Sequence, residues 1–160
     1  MAAAFGVGRA DLAPAHKRLS EIGARSSELR ATALEQGELE LHSYEPVLAA
    51  LRLPTDDPCR AERLASALSD ASAAPLAVAR AGAELAQLAA EVTSLGSQHL
   101  TGDARAGLLL AEAACQAATG LVEINLGGLR ADDDDDERVA EATELARRAA
   151  VARAEALGEH

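Results

Sequence analysis

The chain has 160 residues, 49% of them hydrophobic but only 1% aromatic, and a formal net charge of −11. That length suits one domain. The acidic balance, with no basic stripe and no interleaved aromatics, argues against nucleic acid and anionic membranes as partners. Most of the apolar content is Ala, then Leu, which are the strongest helix formers, while the β-branched and aromatic residues that strands favour are scarce. An all-α domain follows, an antiparallel bundle of about six helices.

The elements are predicted in chain order from apolar spacing and from Gly and Pro punctuation. Met1–Gly8 reads as the tail of a helix ended by Gly6 and Gly8. A helix runs from about Leu12 to Leu34, with Pro14 in its first turn and Leu19, Ile22, Leu29 and Ala33 as a stripe. Gln36-Gly37 closes or kinks it. Glu38–Leu53 resumes, with Pro46 in a first turn or at a kink, and Pro54–Pro58 is a loop. Cys59–Ala73 is helical and broken by Pro75. Leu76–Gly96 carries Leu85, Leu88, Val92 and Leu95 on one face. After a short Ser97–Gly102 connection, Asp103 is placed to cap a helix over Ala104–Leu126, which Gly127-Gly128 ends. The last helix spans about Glu137–Leu157. The two Ala-rich segments Leu76–Gly96 and Ala104–Leu126 are the expected central helices.

Small Ala side chains bury little area each, so a single subunit has a thin core, which favours a homodimer. Cys59 and Cys115 lack CxxC spacing, so neither a disulfide framework nor a zinc knuckle is expected, and Cys115 reads as a small core residue. No leader pattern is recognised at the N-terminus and no apolar run of membrane-crossing length, so a cytoplasmic location is expected. The run Asp132–Asp136 reads as a solvated acidic turn that favours the following helix N-terminus, because it lacks the spacing that wraps a cation. No bound metal or cofactor is expected. Nucleophile-elbow, zinc-protease and phosphate-loop motifs are absent from the sequence.

Four stretches in order carry a family resemblance: "MAAAFGVGR" (Met1–Arg9), "SYEPVLAALRLPTDD" (Ser43–Asp57), "AAPLAVARAGAELAQLA" (Ala73–Ala89) and "LTGDARAGLLLAEAACQAATGLVEINLGGL" (Leu100–Leu129). Together they resemble the cyclodeaminase/cyclohydrolase family, which includes the cyclodeaminase half of formiminotransferase-cyclodeaminase. The resemblance implies a helical subunit that dimerises and acts on formimino- or methenyltetrahydrofolate, whose reacting carbon is amidinium-like. Such chemistry needs a proton donor to the departing amine or a base toward water, a carboxylate to favour the cation, and a positive group for the carboxylated tail.

Carried onto this chain, the resemblance makes Asp103 the catalytic carboxylate; His99, four residues upstream, reads from its own chemistry as an auxiliary acid–base group if it faces Asp103. Arg9 becomes the anion anchor, and Glu40, Tyr44, Asn125 and Arg105 line the substrate site. Each residue also has a purely structural reading. Asp103 serves as a helix cap, His99 as an exposed loop residue and Arg9 as a charge on a helix C-terminus. Tyr44 serves as core with Glu40 partnering its hydroxyl, and Asn125 as a C-terminal cap. The sequence also departs from the family pattern. Ser97 and His99 stand where Asn is usual, Gly102 replaces a Ser, Arg105 replaces a small residue, Leu121 replaces an Asn, and the Pro-Gly-Gly-Gly-Ser stretch is absent from this chain. Two other classes therefore stand beside a folate enzyme: a relative repurposed for a biosynthetic cyclisation or elimination, and a non-catalytic dimerisation or partner-binding bundle.

Overall fold

The structure, a computed structural model, describes residues 2–95, 98–127 and 136–158. The described residues form the helices α1 (Ala2–Val7), α2 (His16–Ser43), α3 (Glu45–Leu51), α4 (Arg60–Ala71), α5 (Ala73–Leu95), α6 (Gln98–Gly127) and α7 (Glu137–Leu157), with a 3₁₀ turn at Ala10–Ala15. Five of these have twelve or more residues and carry the fold, where about six were predicted.

Three expectations at helix boundaries need correction. Pro14 sits in the 3₁₀ turn before α2 rather than inside α2. The α2 helix then continues through Gly37 to Ser43. A Cβ at Gly37 would meet nothing within 4 Å, so that glycine answers no steric need and costs only its helix propensity, about 1 kcal/mol. Helix α6 begins at Gln98, so Asp103 lies inside it and is not its cap, and His99 is helical rather than in a loop. Leu100 and Ala104, one helical turn apart and both buried, pack with Leu19, Ile22 and Val92. That burial draws the turn containing Gly102 into the helix. The break expected near Pro75 is present: α4 ends at Ala71, and Pro75 sits in the first turn of α5, which has no use for its missing N–H.

Helix α5 is the hub, packed against α6, α7 and α2. Ion pairs stepping by seven residues report the directions of its neighbours. Arg18 grips Glu91 through two bonds of 2.6 Å, and Arg25 grips Glu84 at 2.6 and 2.9 Å, so α2 runs antiparallel to α5. On another side of α5, Arg80 grips Glu141 at 2.6 and 2.7 Å, and Arg148 donates to Gln87 at 3.1 Å, so α7 runs parallel to α5. These pairs are solvent-exposed and contribute little to stability; their effect is to set register. Helix α6 passes between, antiparallel to α7. Arg153 meets Glu112 at 3.0 Å, and the Thr119 hydroxyl donates to the Ala142 carbonyl at 3.0 Å.

The main core is built from small side chains, with Ala79, Ala83, Ala86, Leu108, Cys115, Val122 and Ala149 all at 0–1% exposure. The two helices expected to be central, α5 and α6, are central. They touch most closely at Gly82, where an added Cβ would lie 3.0 Å from the Ala111 carbonyl oxygen and 3.0 Å from the Cys115 backbone nitrogen. At the far end, Asp136 caps α7 by accepting from the Arg138 N–H at 3.0 Å, and Gly158 closes the helix with φ of 69°. The Arg138 side chain also donates to the Ser69 carbonyl (2.9 Å) and hydroxyl (3.0 Å), which ties the start of α7 to the end of α4.

Candidate functional site

The predicted site residues divide between the two ends of the helical stack. Asp103 and Arg105 are exposed on the second turn of α6. Arg9 belongs to the same end. It follows Gly6 by three residues and bonds back to it at 3.1 Å, and a Cβ on Gly6 would lie 3.2 Å from the Leu100 side chain. Arg9 is half-buried, and its carbonyl oxygen contacts His16 Nε2 at 2.6 Å, so the backbone between α1 and α2 is fixed there. The backbone of His99 is at this end too; its side chain lies outside the described part of the chain.

Asn125 is 22 residues beyond Asp103 on one continuous helix, hence about 33 Å away. It is buried, and its amide donates to the Ala71 carbonyl at 3.3 Å, so it clips α4 to α6 rather than capping a C-terminus. Glu40 and Tyr44 lie at the same end as Asn125. Glu40 is on α2 about 22 Å beyond the Arg25–Glu84 pair, past the start of α5. Tyr44 joins α2 to α3, which packs on α4. Tyr44 is 43% exposed, so water can satisfy its hydroxyl and the pairing with Glu40 that a buried phenol needs is not required. Within one subunit, the structure therefore brings Arg9, Asp103 and Arg105 to one end and Glu40, Tyr44 and Asn125 to the other.

Two concave surfaces are prominent, and neither is lined by those residues. An open groove of ≈ 490 Å³ between the C-terminal halves of α5 and α7 is bordered by Gln87, Glu91, Arg147, Arg148, Val151 and Glu155. Its charges are largely committed. Arg147 holds Glu144 at 2.7 Å through two bonds, and Glu91 holds Arg18. Hydrogen bonding to Arg25, Arg18, Arg80 and Arg147 keeps the Glu84, Glu91, Glu141 and Glu144 carboxyls, in that order, below the usual carboxylate range. A second cleft of ≈ 410 Å³ lies between α3 and α4, bordered by Pro46, Leu53, Arg63 and Asp70.

A further polar group, conspicuous in the sequence as a carboxylate within an apolar segment, is buried on α6. Glu112 is 7% exposed and is held by Arg153 from α7 and by Gln116, 3.2 Å away. Glu112 interrupts an apolar run on the face that carries Leu108 and Cys115. Nearby, burial pushes the Cys115 thiol up, which makes it an inert packing group. Among the described residues, no three His, Cys, Asp or Glu side chains converge as metal ligands; the run 132–135 lies outside them.

The described residues thus form an alanine-rich, all-helical stack centred on α5 and α6, with a carboxylate and an arginine exposed near the start of α6. The family model for formiminotransferase-cyclodeaminase matches residues 1–146, so the chain belongs to the formiminotransferase-cyclodeaminase family. No curated protein matches it.

Proposed function

We propose that this chain is a cyclodeaminase- or cyclohydrolase-type enzyme acting on a C=N-containing small molecule, with formimino- or methenyltetrahydrofolate the first substrate class. The observation that supports this reading best is the family match over residues 1–146, with Asp103 in place within it. In this reading Asp103 moves the proton. Protonated, it donates to the departing amine of a formimino adduct; ionised, it takes a proton from the water that attacks a methenyl carbon. As an exposed carboxylate at the same end as Arg9 and Arg105, it also favours the cationic carbon, while the two arginines receive the carboxylated tail of the substrate. His99 serves as the auxiliary acid–base group. No metal or cofactor enters this scheme, and its setting is the cytoplasm.

The test is direct. Purified protein is mixed with 5,10-methenyltetrahydrofolate, and absorbance decay is followed; ammonia release is measured with the formimino substrate. Asp103→Asn is expected to lower the rate by about 10²-fold or more. Its stability should stay within about 0.5 kcal/mol of the parent, because Asp103 is exposed and caps nothing. Absence of both turnover and folate binding sinks the folate reading. A repurposed relative would then show turnover on another cyclising C=N substrate.

One observation favours a second reading, a non-catalytic helical bundle. The candidate residues of one subunit stand at opposite ends rather than around one hollow. That reading expects no turnover with any such substrate and undiminished behaviour of Asp103→Asn in every assay.

A further inference from the structure

The two halves of α2 differ in how their charges are matched. In the first half, Glu21 and Glu28 pair with Arg18 and Arg25, which also hold Glu91 and Glu84 on α5. The second half runs past the start of α5. Between Arg30 and Arg52 the chain carries Glu35, Glu38, Glu40 and Glu45 and no Lys or Arg. Among the described residues, Glu45 meets His42 at 3.5 Å, and the other three form no ion pair. On the same stretch Leu34, Gly37, Leu41, Tyr44, Leu48 and Leu51 recur at alternating steps of three and four, the a and d positions of heptads. All six are exposed, Leu34 at 66% and Leu41 at 76%. The Leu48 N–H donates to the Tyr44 carbonyl at 3.1 Å, so the helical turn carries past Pro46 into α3. There Val47 anchors the ridge to Ala67 and Ala71 of α4.

We propose that this α2–α3 ridge docks a helix of another protein, one with apolar side chains at heptad spacing flanked by Lys or Arg. The spacing specifies the shape of the occupant. Apolar positions in a three–four alternation receive the side chains of a helix laid alongside, and Gly37 leaves a notch between Leu34 and Leu41 for a large one. Charge specifies its sign. The residues that flank a and d set partner choice in such pairings, and here Glu38, Glu40 and Glu45 flank them. The same pattern works against a second copy of this chain. Laid parallel, two ridges set each Glu near its own counterpart. Laid antiparallel about Leu41, they set Arg30 near Arg52 of the partner subunit and leave both groups of carboxylates together. From Leu34 to Leu51 the ridge is about 26 Å long, which suits a weak, reversible contact.

A bilayer competes for any apolar surface, and Leu100–Gly127 of α6 is long and apolar enough to cross one, which corrects the expectation that no such segment exists. The ridge on α2 and α3 is edged by carboxylates, which an anionic bilayer repels. The inference assigns Tyr44 and Glu40 to a protein contact instead of the substrate site that the resemblance gives them. It stands apart from the proposed reaction, whose Asp103 lies at the opposite end of the stack.

The test uses the full chain and two synthetic three-heptad peptides. Both have Leu at a and d; one has Lys at e and g, the other Glu. Binding of each labelled peptide is read by fluorescence anisotropy at about 0.05 M and about 0.5 M salt. The parent is expected to bind the basic peptide at least tenfold more tightly than the acidic one, and the preference should shrink at high salt. Leu41→Glu should weaken the basic peptide at least tenfold while far-ultraviolet circular dichroism stays helical. That variant adds a negative charge, so the loss cannot reflect general attraction to an acidic chain. Glu38→Lys combined with Glu45→Lys should reverse the preference toward the acidic peptide, a result that misfolding cannot produce. No binding of the basic peptide, equal binding of the two, or a preference unmoved by the double exchange overturns the proposal. Self-association of the parent in sedimentation that Leu41→Glu abolishes overturns it in favour of a second copy. Flotation with phosphatidylcholine vesicles, lost in Leu41→Glu, overturns it in favour of a bilayer.

Discussion

Gly82→Ala places a methyl group at the closest approach of α5 and α6. The new Cβ would lie 3.0 Å from the Ala111 carbonyl oxygen, 3.0 Å from the Cys115 nitrogen and 3.0 Å from the Cys115 Cβ. Two of those three atoms are backbone and cannot rotate away, so the helices must separate by a few tenths of an ångström. Overpacking of this kind costs about 2–3 kcal/mol, because neighbouring alanine contacts loosen with it. Against that, Ala is better than Gly inside a helix by about 1 kcal/mol. The net is a loss of about 1–2 kcal/mol. For a chain of this size that lowers Tm by roughly 2–8 °C. Gly37→Ala is the control. It is mid-helix, with nothing within 4 Å of the added Cβ, so it should gain about 1 kcal/mol and 2–4 °C. Paired urea and thermal melts at one protein concentration read both variants, since association would otherwise shift the midpoint. If the two variants move together, close backbone approach at Gly82 is not what holds α5 to α6.

Arg153→Ala should cost about 2 kcal/mol in the same melts, since it leaves Glu112 buried without its cation; the 30% exposure of the Arg153 side chain keeps the loss below the 3–5 kcal/mol of a fully enclosed pair. Lowering the pH should destabilise the fold. Glu84, Glu91 and Glu141 have folded-state pKa values below their unfolded ones near 4.3, so their contribution is present above that value and is lost as pH falls through the folded value. Melts from pH 7 to pH 3 should show a plateau and then a shallow fall below about pH 5, shallow because these pairs are solvent-exposed. Thiol titration at pH 8 should find one reactive cysteine, the exposed Cys59, with Cys115 reacting only after denaturation; two fast thiols in the native protein would contradict the packing of α6.

The parts legible in the sequence were those fixed by local chemistry. Alanine and leucine content implied helices throughout, and Pro46 marked the start of α3. The acidic run before Glu137 placed the start of α7, where Asp136 is indeed the cap. Gly37 and Gly102 are local punctuation that did not end a helix: burial of Leu100 and Ala104 holds the turn at Gly102 within α6, whereas Gly37 is exposed and α2 carries it at only the cost of its helix propensity. Leu100 was decisive for α6, because its burial against α1 and α2 extends the helix one turn upstream of Asp103. The division of the candidate site was harder to see, since periodicity gives the face of a helix but not which end meets which neighbour. The register was nonetheless encoded, in the seven-residue steps of Arg18 and Arg25 against Glu91 and Glu84.

An alanine core changes what stability depends on. In a leucine-rich bundle, large side chains hold helix axes apart and fill the space between, so the sensitive mutations are truncations that leave cavities. Here the core positions Ala79, Ala83, Ala86 and Ala149 have nothing larger than a methyl to remove. At these positions the packing comes from backbone proximity, so the sensitive mutations there are additions, as at Gly82. Truncation of the buried Leu19, Leu108 or Val122 and disconnection of the buried polar bonds at Glu112 and Asn125 remain the other sensitive changes. Close approach also limits how much apolar surface one subunit can hide, and the surplus appears where the sequence is most apolar, on the outer face of α6.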